Sequence, residues 1–195
     1  MASNFQLRDA DPARDAGALR SIYAPHITDS AVSFELTVPS EAEIARRIAE
    51  VQKSWVWLVA EVEADGTPSD PSGRVIAGYA YAGPHRTRAA YDLTVETSVY
   101  LDERFHGRGL GRALYLELFE RLVALGYCQA YAGATLPNPA SVAFHEALGF
   151  RVVGTFPRIG YKFGRYHDVI WMHRELRTEP LPGESPVSRS SSQAP

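Results

Sequence analysis

Cysteine is almost absent from this 195-residue chain, Cys128 being the single example, so neither an internal disulfide framework nor a cysteine-based zinc cluster can hold the fold. Cys128 lies in an apolar run and reads as a buried structural thiol, which points to a reducing compartment. An excess of positive charge is also lacking. The 20 Lys and Arg against 23 Asp and Glu leave a formal charge of −3, which speaks against nucleic acid and against an acidic membrane surface as partners. The first twenty residues lack the apolar centre of a secretion signal and no apolar run approaches a membrane span, so the expected location is cytoplasmic. The six histidines are scattered without metal-ligand spacing, and no metal is expected. No G-K-[ST] occurs, and Arg112 stands where the third glycine of G-x-G-x-x-G would be, which removes the two best-known phosphate loops. What is left is small-molecule chemistry on one α/β domain. A hydrophobic content of 45% suffices for a core of its own. The domain is expected over residues 1–176, followed by a disordered Pro- and Ser-rich tail over 177–195.

The stretch present in place of these motifs is L-D-E-R-F-H-G-R-G-L-G, Leu101 to Gly111. It follows an extended run, Thr94 to Leu101, and opens into a helix on which Leu114, Tyr115, Leu118, Phe119, Leu122 and Leu125 fall within about 140° of arc at 3.6 residues per turn. Gly126 ends that helix. Gly107, Gly109 and Gly111 therefore lie where a helix N-terminus presents unpaired N–H groups, with Arg108 and Arg112 beside them. The arrangement reads as an anion cradle or, more plainly, as a flexible loop that caps a helix.

Around this loop the chain reads as strand Phe5–Arg8, a helix with Pro12 in its first turn that stops near Pro25, and a Ser- and Thr-rich connection Ala24–Pro39 carrying Phe34 and Glu35. Ser40 and Glu43 form a capping box for a second helix through Ile44, Ile48 and Val51. Strands Trp55–Val62 and Arg74–Ala82 flank a surface hairpin loop, Glu63 to Gly73. Gly83–Asp92 holds Arg86 and Arg88, which either face solvent or grip a carboxylate or phosphinate by bidentate bonds. Glu96 is a carboxylate in an otherwise uncharged strand, so it is either a half-exposed surface group or a base beside the cradle. Strand Cys128–Ala134 must run parallel to the previous one, because a helix crosses over between them. Asn138 caps a short helix with Pro139 in its first position and Gly149 at its end. Strands Val152–Phe156 and Asp168–Leu176 close the sheet, and Tyr161–Asp168 between them is long for a plain turn.

The order βααβββαβαββ, a mixed central sheet flanked by helices with the glycine loop between the fourth strand and third helix, resembles the GCN5-related N-acetyltransferase superfamily. Its Q/R-x-x-G-x-G/A motif is matched by His106-Gly-Arg-Gly-Leu-Gly111, with His106 where the motif has Gln or Arg. Its second motif is matched by Asn138, Glu146, Gly149 and Phe150. Ala80–Pro84, Ala90–Glu96, Val99-Tyr100, Leu136–Asn138, His145–Gly149 and Gly160–Asp168 resemble the phosphinothricin acetyltransferase branch, which includes enzymes acetylating methionine sulfoximine and methionine sulfone. The resemblance covers about Phe5 to Leu176.

By that resemblance the cosubstrate is acetyl-CoA. Its pyrophosphate would lie on the N–H groups of Gly107, Arg108, Gly109, Leu110, Gly111 and Arg112. Its pantetheine arm would pair along Val99, Tyr100 and Leu101 and bond to Asn138. Transfer to the amine of a small amino-acid-like acceptor would be direct, with a backbone N–H near Val99 facing the oxyanion. Glu96 would serve as base. His145 would protonate the leaving thiolate when charged, unless it only packs. Arg86 and Arg88 would bind the acceptor's anionic group, and Phe34 would close the pocket. Tyr161–Asp168 would reach a partner subunit, giving a homodimer. Other acceptors (a protein N-terminus, an ordinary amino acid, a polyamine) and a non-catalytic CoA-binding sensor are the competing readings; two arginines disfavour the polyamine.

Overall fold

The computed structural model of the protein describes residues 5–63 and 73–180. Its elements run β1 (Phe5–Asp9), α1 (Pro12–Thr28), α2 (Glu41–Val51), β2 (Trp57–Glu63), β3 (Arg74–Pro84), β4 (Thr94–Leu101), α3 (Leu110–Ala124), β5 (Gln129–Thr135), α4 (Pro139–Ala147), β6 (Arg151–Lys162) and β7 (Arg165–Glu175). This is the expected order, and the seven strands share one mixed sheet in the sequence β1-β2-β3-β4-β5-β7-β6. Most of the expected Glu63–Gly73 hairpin loop, residues 64–72, and the tail beyond Pro180 lie outside the described residues. The chain divides into two compact units. One takes the described residues up to Pro25 together with Val38–Ala82 and Ser98–Leu118, and the other takes His26–Thr37, Gly83–Thr97 and the chain from Phe119 onward.

In the first unit β1, β2 and β3 form an antiparallel meander. Its β2 has Trp57 through Val62 all buried, the mark of a strand covered on both faces. Ser40 caps α2 by accepting from the Glu43 N–H at 3.1 Å, and Ile44 and Ile48 turn its apolar face inward. Gly78 is required by close approach, since a Cβ there would collide with the Tyr100 carbonyl and the Leu101 side chain. Arg8 bridges two buried carboxylates, Asp15 at 2.6 Å and Glu61 at 2.6 Å, so neither is left as an uncompensated charge. The expected stop of α1 at Pro25 is corrected: the helix continues to Thr28 with Pro25 inside it. Proline forfeits one hydrogen bond, but carrying on buries Ile27.

In the second unit β5 pairs in parallel with Thr94, Val95 and Glu96 of β4 and antiparallel with β7, which pairs in turn with β6. The long loop expected at Tyr161–Asp168 is also corrected. It is the end of a β-hairpin whose two turn residues, Phe163 and Gly164, have φ of 50° and 75°, the signature of a type I′ turn. Further down, β6 bulges between Phe156 and Gly160, with Pro157 in the bulge and Arg158 at φ 54°. The Arg158 N–H donates to Asp168 Oδ1 at 2.7 Å. Cys128 is buried, as expected. Leu125, placed on the apolar arc of α3 from its spacing, lies one residue past the helix and is 44% exposed.

Candidate active site

The glycine loop is built in the first unit from a short 3₁₀ turn at Glu103–Phe105, capped by Asp102, whose Oδ1 accepts from the Arg104 N–H at 3.0 Å. Phe105 is buried and anchors the turn, with the Arg104 and Arg108 guanidinium groups 5.3 and 5.1 Å from its ring centroid. Gly107 and Gly109 take φ of 74° and 78°, in the left-handed region that disfavours side chains, and nothing stands within 4 Å of where a Cβ would project. The first bond of α3 runs from the Ala113 N–H to the Gly109 carbonyl at 3.0 Å. The N–H groups of Leu110, Gly111 and Arg112 therefore have no acceptor within the helix. Leu110 and Leu114 are buried and fix the helix that presents these amides, while Arg108 and Arg112 stay exposed. His106 Nε2 lies 3.4 Å from the Leu101 carbonyl. Backbone N–H groups left without helix acceptors at the positive end of a helix suit a phosphate group. On the same strand end, the Tyr100 ring rests against Tyr23 at 4.9 Å and Tyr79 at 5.3 Å. Burial, reinforced by the neighbouring tyrosines, holds its phenol well above the ordinary value.

The second unit holds Glu96, Arg86, Arg88, Phe34, Asn138 and His145. Strand alternation buries Val95 and Thr97 on one face of β4 and turns Glu96 to the other. Burial raises the Glu96 carboxyl, and the nearby Arg86 guanidinium pulls it partly back. A carboxylate shifted upward is a better proton acceptor than one in water. Arg86 and Arg88 are both exposed, in the loop after β3. Phe34 lies on Gly160, whose missing side chain makes room for the ring, and it also approaches His167 at 6.1 Å between centroids. Asn138 caps α4, Oδ1 accepting from the Ser141 N–H at 3.1 Å. His145 is buried, with Nδ1 2.7 Å from the Ser141 carbonyl and its ring edge-on to Phe144 and Phe150. Burial lowers its pKa and so disfavours the charged form, while the Ser141 carbonyl, which accepts from Nδ1, partly offsets this.

Two residues passed over in the sequence stand out. His85 stacks on Tyr131 at 4.8 Å, with Nδ1 3.6 Å from Glu96 Oε2; its place in the loop beside Arg86 was the only signal. Lys162 is buried and donates to the Ser30 and Ser33 carbonyls at 3.1 and 2.6 Å, and a lysine in a polar stretch gives no hint of that. Among the described residues no group of three or more His, Cys, Asp or Glu side chains is placed to hold a metal ion, and no helix is long and apolar enough to cross a membrane.

The acetyltransferase (GNAT) domain matches residues 10–171. The chain belongs to the GNAT acetyltransferase family. Among its GNAT relatives, a phosphinothricin N-acetyltransferase of Streptomyces viridochromogenes is 40% identical, over 87% of this chain and 88% of its own. An L-methionine sulfoximine/L-methionine sulfone acetyltransferase of Salmonella typhimurium is 32% identical, over 90% and 97%. The crystal structure of a GNAT phosphinothricin acetyltransferase from Sinorhizobium meliloti in complex with acetyl-CoA superposes with a TM-score of 0.81 at 37% identity, covering 94% of this chain and 96% of that one.

Proposed function

We propose that this GNAT protein transfers the acetyl group of acetyl-CoA to the amine of a small amino-acid-like acceptor of the phosphinothricin, methionine sulfoximine or methionine sulfone type, by direct attack in a ternary complex. The observation that carries the reading is the place of Glu96, a half-buried carboxylate on the same strand whose far end leads into the glycine loop. The residues fit the cosubstrate. The positive-φ glycines leave the backbone open to a pyrophosphate, and the N–H groups from Gly107 to Arg112 would hold it. The backbone of Val99, Tyr100 and Leu101 would align the pantetheine arm, and Asn138 would add a polar contact beside its capping bond. Acetyl-CoA supplies the activated acetyl thioester.

The chain's own residues do the rest. Glu96 removes the proton that keeps the acceptor amine from attacking, directly or through water. Arg86 and Arg88 hold the acceptor's anionic group, and Phe34 covers its apolar arm. His145, its Nδ1 held by the Ser141 carbonyl, gives a proton from Nε2 to the departing thiolate when its ring is charged. The catalytic domain spans residues 1–176 of a cytoplasmic homodimer. The dimer reading draws on the β6–β7 hairpin, where Ile159, Tyr161, Phe163 and Tyr166 are exposed although apolar or aromatic.

The test is CoA thiol release with acetyl-CoA and, separately, L-phosphinothricin, L-methionine sulfoximine, L-methionine sulfone, ordinary amino acids, a peptide N-terminus and spermidine. Release with the first three alone is expected. Release with none of them, together with a rise in melting temperature on adding acetyl-CoA, would discard the acceptor class and leave a CoA-binding protein.

A further inference from the structure

His85 opens the loop after β3 and is enclosed by rings. It stacks on Tyr131 at 4.8 Å and 15°, and meets Trp171 edge-on at 5.6 Å and Tyr91 at 6.4 Å. That box fixes the plane of the imidazole. Its Nδ1 is buried without a hydrogen-bond partner among the described residues, and Glu96 Oε2 lies 3.6 Å from it. A buried polar nitrogen held just outside bonding distance of a carboxylate calls for a reason, and a shift of under about 1 Å would make the bond.

We propose that His85 is a positioning and proton-relay residue for Glu96: it holds the carboxylate for its role as base and takes from it, on Nδ1, the proton removed from the acceptor amine. The inference rests on the reading of Glu96 as the base. In the relay the O–H bond of protonated Glu96 breaks and an Nδ1–H bond forms. Glu96 regains its negative charge, and the imidazolium releases its Nε2 proton to solvent. One proton enters and one leaves, with no change in oxidation state.

The charged and titratable groups facing His85 are Glu96 from β4, Arg86 from its own loop, Tyr91 from the short turn that follows and Tyr131 from β5; β7 contributes Trp171, which does not titrate. Burial pushes the Glu96 carboxyl up and the His85 imidazole down, while Arg86 draws both downward. The ordinary gap of about two pH units between carboxylate and imidazole narrows as a result, which lets the proton pass readily between them.

Replacing His85→Phe keeps a ring on Tyr131 and removes both nitrogens. The relay predicts a fall in kcat of about tenfold with KM for acetyl-CoA unchanged. It also predicts that the acid limb of kcat/KM moves to lower pH, because the last proton of the pair is then held by Glu96 alone. An acid limb that does not move overturns the relay, whatever kcat does. Glu96→Gln tests the underlying reading separately: full turnover at neutral pH in that variant removes Glu96 as base, irrespective of His85. A third measurement needs no turnover and no His85 variant. In an NMR titration, the His85 midpoint should fall by about one pH unit in Glu96→Gln relative to the unaltered protein, since the carboxylate that favours the imidazolium is gone. An unchanged midpoint overturns the pairing.

Discussion

His145 and His85 are both held below the ordinary imidazole value by burial, but their surroundings give them different work. His145 is wedged between Phe144 and Phe150 and bonded to the backbone of its own helix. In the folded protein it resists protonation, whereas in the unfolded chain it titrates near its reference value. As pH falls, the unfolded state therefore takes up the proton first. The stability that neutral His145 contributes is present above about pH 6.5 and is lost as the pH drops through that value. Melting temperature should decline between about pH 7 and pH 5, and decline less in His145→Phe; an equal decline in both proteins would place the acid sensitivity elsewhere. His85 was invisible in the sequence for a definite reason. It stands eleven positions before Glu96 with a loop and a short 3₁₀ turn between them, and no periodic spacing links the two. Glu96 itself was legible as a lone carboxylate in an uncharged strand, but its upward shift depends on packing.

Among the elements, helices and central strands declared themselves by period, caps and stops. Ser40, Asn138, Gly126 and Gly149 each mark an end that the structure uses. The β6–β7 hairpin did not, because Phe163 at φ 50° is no ordinary turn residue and the pairing joins residues whose register no local signal sets. The reason for Gly160 is likewise hidden in sequence, since the ring that needs its bareness, Phe34, comes from a connection far earlier in the chain. Gly160→Ala should force the Phe34 ring aside. We expect a loss of about 1–3 kcal/mol in urea unfolding together with a raised KM for the acceptor and an unchanged KM for acetyl-CoA. A fully stable variant with unaltered kinetics would show that the ring's seat on β6 does not matter.

At the level of the whole molecule, the chain's membership in the GNAT family was readable from the two motifs at the starts of α3 and α4 together with the element order. Quaternary structure was open to sequence only through resemblance. If the exposed hairpin aromatics form the homodimer contact, Tyr161→Glu with Phe163→Glu should shift the sedimenting species from dimer to monomer while the melting temperature stays within about 2–4 °C; a protein that already sediments as a monomer rejects the dimer. The connection that carries Phe34 is also tied to this hairpin by the buried Lys162 ammonium on the Ser30 and Ser33 carbonyls. If Phe34 covers the acceptor as proposed, exchanging that connection for another requires exchanging positions 160 and 162 with it. These two stretches, far apart in the chain, are one mechanical part, so a change made in either is felt by the other through the seat of Phe34 and the bonds of Lys162.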